Sequence, residues 1–269
     1  MKRMVTRCLW LVLAVSVAAV LYHVYDNRRA AASNAKAAML AGLEHKDAPS
    51  VPAPLPEEAS APADTGPAEA LADVDLAALQ AVNGDVIGWL EIPDTQVSYP
   101  LVQGQDNQFY LSHSWEKKPS GAGAVFLEET NSRDLTGFHL IVYAHRMNKD
   151  LMFHSLKYYS DPAYFQAHPS IYLADGTAVR RYDIFAAHEA GVTSLVYRLD
   201  LEEHRQELID FCLDNSVLDT GVVPKPEEQL LTLSTCTGFG HAARWVVQGV
   251  LRERYEIPSG TDQEERRIP

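Results

Sequence analysis

Leu230-Leu-Thr-Leu-Ser-Thr-Cys236, followed eight residues after its cysteine by Arg244-Trp-Val-Val-Gln-Gly-Val-Leu-Arg252, is the stretch that decides the fold. Both halves are short runs dominated by apolar and β-branched residues, and Thr237-Gly-Phe-Gly240 between them is turn chemistry. The pair therefore reads as a strand, a loop and a returning strand. That geometry leaves Cys236 at a strand end and brings Arg244 back beside it.

Working outward, the same texture recurs. Val86 to Ile92, Gln96 to Val102, Ala124 to Leu127, His139 to Ala144, Ser170 to Leu173 and Arg181 to Ala186 are further β-prone runs. Turn signals such as Pro93-Asp94 and Gly121-Ala-Gly123 separate them. About eight short strands predict a mostly β domain with added helices, a sandwich or a closed barrel, since closure removes exposed edges. Helices are expected over Asp75 to Val82, which Asn83-Gly84 stops, and over Leu201 to Leu213. On the latter, Leu201, Leu208, Phe211 and Cys212 form an inward stripe.

The 269 residues carry 23 Lys+Arg against 36 Asp+Glu, a net charge of −13. An acidic chain lacks the basic face that releases counterions from a phosphate backbone, which excludes nucleic acid as a partner. The N-terminus is the exception to the acidity: residues 1–29 sum to +4 around the uncharged run Cys8 to Tyr25. That run is close to the length of one membrane crossing, with Trp10, Tyr22 and Tyr25 as interfacial rings. The small residues Ala30-Ala-Ala32 lie beyond Arg28 and Arg29, too far from the apolar core for a signal-peptidase site, so an uncleaved anchor is expected, with the N-terminus inside and the domain outside. Residues 1–29 are read as cytoplasmic tip and anchor and residues 30–70 as an Ala/Pro/Glu-rich stalk, part of which (30–43) is able to continue the helix. The globular domain spans 71–256, and 257–269 form a polar tail.

Three cysteines, at positions 8, 212 and 236, are too dispersed for a disulfide framework. Cys8 lies at the membrane edge and Cys212 on a helix stripe as a buried structural thiol. Cys236, at a strand end, is the candidate nucleophile, and a thiol nucleophile needs a base or cation to favour its thiolate. His145 ends the apolar run Leu140 to Ala144 in a setting that mirrors that of Cys236. Arg244 completes the group: a fixed guanidinium stabilises the oxyanion of a tetrahedral intermediate or aligns a carbonyl. Sequence order alone leaves open whether the three meet, and a salt bridge at a strand end remains the alternative for Arg244.

Thr232-Leu-Ser-Thr-Cys236, with the Arg that opens the next strand, resembles the signature of the sortases, most closely the class B sortases. Gly88-Trp-Leu-Glu-Ile-Pro93, Ser98-Tyr-Pro-Leu-Val-Gln103, Asp106-Asn-Gln-Phe-Tyr-Leu111, and Met152-Phe-His-Ser-Leu156 with His168-Pro-Ser-Ile-Tyr172 extend the likeness over Leu79 to Arg252. The resemblance implies a closed eight-stranded β-barrel preceded by a membrane helix and stalk. It also implies catalytic roles for His145, Cys236 and Arg244, with Ser234 and Thr235 lining the substrate groove. The partners it implies are the sorting-signal peptide of another secreted protein, cleaved after Thr, and an acceptor amine from a peptidoglycan precursor or a pilin. One departure stands out: the usual class B Gly-His-Asn is here Ala144-His145-Arg146, which bears on substrate preference. The helix near Leu201 to Leu213 is similar to the extra helix of class B.

Other thiol enzymes fit less well. Papain-like peptidases place Cys upstream of His, whereas His145 precedes Cys236 by 91 residues, and the Ser-His-Gly-Cys pattern of L,D-transpeptidases is missing. A non-catalytic membrane-tethered β-domain that scaffolds surface proteins is the rival of another class. No Cys-x-x-Cys or His-x-x-x-His spacing gathers metal ligands, so neither a metal nor another cofactor is expected.

Overall fold

The computed structural model describes residues 2–43, 66–147, 151–201, 203–236 and 243–258. The central part of the expected stalk, residues 237–242 after Cys236, and residues 259–269 of the expected tail lie outside the described residues.

The chain opens with helix α1 (Lys2–Leu40), followed by α2 (Gly66–Ala72) and α3 (Leu76–Val82). β1 (Val86–Glu91), β2 (Ser98–Val102), β3 (Val125–Leu127) and β4 (His139–Tyr143) come next, then α4 (Pro162–Ala167), β5 (Ser170–Ala174), β6 (Ala178–Gly191), α5 (Arg205–Asn215), β7 (Leu230–Cys236) and β8 (Ala243–Glu256). The eight strands close into one barrel in the order β1-β2-β3-β4-β7-β8-β6-β5. Two neighbouring pairs are parallel, β2 with β3 and β4 with β7, and the others are antiparallel. Each run read as a strand from the sequence corresponds to one of these eight.

Alternation along β7 shows how one strand serves two cores. Leu231 and Leu233 pack into the cluster that fills the barrel, with Leu90, Leu101, Leu140, Val142, Ile171 and Val247. Leu230 belongs instead to the layer beneath α5, with Leu208, Ile209, Cys212, Val246 and Val250. Successive side chains of a strand point to opposite faces, so an apolar run buried on both sides is the expected composition here. α5 starts at Arg205, later than the expected Leu201, because Leu201 is buried in the preceding loop and the helix is entered at His204. α3 begins as expected: the Asp75 carboxylate accepts the Ala78 N–H at 2.9 Å, satisfying one of the open donors of the first turn.

The N-terminal helix continues into the segment 30–43, as the sequence allows. α1 runs unbroken for 39 residues, and its part beyond Asp26 lies on the barrel instead of standing off it as a stalk. Ala30 joins the barrel cluster, while Ala37, Ala38 and Ala41 pack with Trp89, Trp115 and Tyr110. Alanine allows this close approach because it has no side chain beyond Cβ. α2, which straddles the expected boundary at 70/71, buries Ala68 and Leu71 against the domain. Residues 30–40 and 66–72 are thus helical and packed against the domain.

Candidate active site

The parallel pair β4 and β7 sets the register of the site. Tyr143 lies opposite Ser234, and the Ala144 N–H extends the ladder by donating to the Ser234 carbonyl at 3.3 Å. One residue further along each strand, His145 follows Ala144 and Cys236 follows Thr235 on backbones spaced about 4.8 Å apart. On the other side of β7 the antiparallel register with β8 pairs Cys236 directly with Arg244. His145, Cys236 and Arg244 therefore stand on three adjoining strands at one end of the barrel.

His145 is held from two sides. Its Nε2–H donates to the Leu111 carbonyl at 2.7 Å, which fixes the tautomer. Its own carbonyl accepts the Phe153 N–H at 3.1 Å. Gly123 lies against the ring with φ of +64°, and a Cβ there would come within 3.2 Å of His145 Cδ2 and 2.5 Å of the Tyr110 carbonyl oxygen. Only glycine fits this left-handed, crowded position. Arg244 is half-buried, with Nη1 donating to the Ala243 carbonyl at 3.2 Å.

Beside this group lies a polar chain that sequence reasoning did not foresee. Ser234 Oγ and the Tyr197 hydroxyl are 2.9 Å apart, Tyr197 stacks on Tyr143 at 6.5 Å between centroids, and the Tyr143 hydroxyl donates to Glu128 at 2.8 Å. Burial and the Glu128 carboxylate push the Tyr143 phenol far above its ordinary range, while the positive charge of Arg244 acts in the opposite direction. Ser234 and Thr235, expected to line the groove, are both buried. Ser234 faces Tyr197, whereas Thr235 alternates to the barrel-facing side with Leu231 and Leu233, and its hydroxyl has no hydrogen-bond partner among the described residues. Cys212 is a buried thiol that accepts from Gln248 at 2.9 Å, and burial pushes it up to about 12. It stays a neutral thiol, inert as expected.

A closed eight-stranded barrel with two parallel pairs, bringing His145, Cys236 and Arg244 to adjoining strand ends, is the architecture of a known class of protein. The family model described as the Sortase domain matches residues 90–252, and the chain belongs to the sortase family. Sortases are cysteine transpeptidases. Its relatives are of class B: it is 31% identical to Sortase B of Listeria monocytogenes over 185 residues, 66% of this chain and 74% of that protein. It is 26% identical to Sortase B of Staphylococcus aureus over 160 residues, 59% of this chain and 66% of that one. The crystal structure of Clostridium perfringens Sortase B superposes with a TM-score of 0.62 at 25% identity, covering 66% of this chain and all of that one.

Proposed function

We propose that this chain is a membrane-anchored transpeptidase whose catalytic residues are Cys236, His145 and Arg244. On this reading it cleaves a sorting signal of secreted proteins after Thr and transfers the new carboxyl end to an amine of the cell wall or of a pilin. The observation that carries the reading is the register across β4, β7 and β8, which joins residues far apart in sequence at one end of the barrel.

Cys236 passes its thiol proton to His145 as Sγ attacks the Thr carbonyl, and the oxyanion of the tetrahedral intermediate is met by the Arg244 guanidinium. Collapse breaks the peptide C–N bond, with His145 giving a proton to the leaving amine, and a thioester remains. The acceptor amine then attacks that thioester, His145 takes its proton, and Cys236 departs as the thiolate. Because Nε2–H is committed to the Leu111 carbonyl, proton exchange with substrate runs through Nδ1. The apolar run Cys8 to Tyr25 of α1 serves as the single membrane crossing, with the domain outside.

The test is intact-mass spectrometry of the full chain in detergent with Leu-Pro-x-Thr-Gly-like and Asn-Pro-x-Thr-Asn-like peptides, with and without hydroxylamine. A thioacyl adduct on Cys236 that hydroxylamine converts to a hydroxamate is expected, and Cys236→Ala forms none. Folded, reduced enzyme that neither forms an adduct nor cleaves any peptide favours the non-catalytic scaffold.

A further inference from the structure

The extramembrane half of α1 touches the same two segments that hold His145. Asp26, the first residue after the apolar run, accepts the Gly121 N–H through Oδ2 at 2.9 Å. Seven residues on, the Ser33 carbonyl accepts the Trp115 indole N–H at 2.9 Å, and Trp115 is buried. Ser33 Oγ and Lys36 Nζ both donate to Glu116. These contacts grip the segment 110–124, which is closed on itself by Ser120 N–H to the Ser112 carbonyl and Ala124 N–H to the Tyr110 carbonyl. Its inner side presents the Leu111 carbonyl and Gly123 to the imidazole. α1 reaches the second support as well: Asn34 Nδ2 lies 3.8 Å from Met152 Sδ, and Phe153 is the residue that bonds the His145 carbonyl.

We propose that the docked half of α1 is part of the active-site scaffold and that Asp26 is a positioning residue for His145, acting through Gly121 and Gly123. The inference rests on the catalytic role of His145 proposed above. A path of about 12 Å links the Asp26 acceptor to the ring, made of two residues of chain and one van der Waals contact. Because Asp26 directly follows the membrane-spanning run, the histidine is aligned by the same turn that leaves the bilayer.

The test uses the full chain in lipid nanodiscs with Asp26→Ala and Asp26→Asn. Asparagine keeps an oxygen acceptor for the Gly121 N–H and removes only the charge. Asp26→Ala is expected to lower kcat for peptide cleavage about tenfold with KM unchanged, and Asp26→Asn to restore it to within about twofold of wild type. Wild-type kcat in Asp26→Ala, or an equal loss in both variants, overturns the assignment. A second readout is independent of turnover: the ring ¹⁵N shifts of His145 in histidine-labelled full chain, assigned with His145→Gln. Wild type and Asp26→Asn should show one Nε2–H tautomer, and Asp26→Ala a mixture. Should no peptide be cleaved by wild type, the transpeptidase reading fails, and the ring shifts alone decide the positioning: a single tautomer in Asp26→Ala refutes it.

Discussion

Gly123→Ala separates backbone strain from crowding at the site. At φ of +64° an L-residue costs about 1–2 kcal/mol, whatever surrounds it. The added Cβ would also stand 2.5 Å from the Tyr110 carbonyl oxygen and 3.1 Å from that of Leu111. The first of these is about 0.8 Å inside an ordinary C···O contact. Both are backbone atoms, so relief requires the segment to move, at a further cost of about 1–3 kcal/mol. The total of about 2–5 kcal/mol corresponds to a Tm lower by about 4–20 °C for a domain of this size. Gly221→Ala is the matched control: its φ is +68° and nothing lies within 4 Å of the new Cβ, so only the strain remains. Displacing the Leu111 carbonyl also releases the Nε2–H of His145, so acylation should slow at least about tenfold in Gly123→Ala and not at all in Gly221→Ala. Differential scanning calorimetry and the adduct assay read the two effects. Equal Tm losses with wild-type acylation would refute the argument that this glycine holds the site.

Arg244→Lys keeps the charge but loses the planar fork, so acylation should fall severely with the fold intact, as measured by adduct formation and circular dichroism. Burial holds His139 down to about 4 while an unfolded histidine stays near 6.5. The folded state then binds fewer protons, and stability should fall by up to about 3 kcal/mol as pH drops from 6.5 to 4; His139→Gln should flatten this part of a urea-denaturation series. Burial would raise Glu116, but bonds from Lys36, Lys118 and Ser33 prevail and hold it at about 2. Its contribution is present above pH 4.5 and lost as pH falls toward 2; full conversion gives about 3 kcal/mol, which screening around the exposed lysines reduces to about 1–2 kcal/mol. Hydrogen exchange of the Trp115 indole should accordingly rise in that acid window relative to the barrel core.

The strands were legible because each is a short apolar run bounded by Pro, Gly or Asp, and α3 because Asp75 precedes it as a cap. His145, Cys236 and Arg244 stood out by their places at the ends of such runs, and the register brings those ends together. The supports of His145 were not legible, since the Leu111 carbonyl is a backbone atom without sequence signature and Gly121-Ala-Gly123 reads only as a turn. The alternation of a strand sends Thr235 to the opposite side from Ser234. The docked half of α1 was hidden by composition. Alanine-rich sequence reads as linker, although Ala30, Ala37 and Ala41 recur at helical intervals and are the residues that meet the barrel.

β8 pairs with β6 from Ala243 to Glu256 and with β7 from Arg244 to Val250, so the barrel closes only once this strand, the last one described, is in place. Contacts between segments so distant in sequence form slowly and late in folding. The histidine and the cysteine belong to strands whose alignment depends on that closure. On the function proposed above, a newly exported chain carries an unassisted, weakly nucleophilic thiol until folding is complete, and acquires its reactivity together with its final shape.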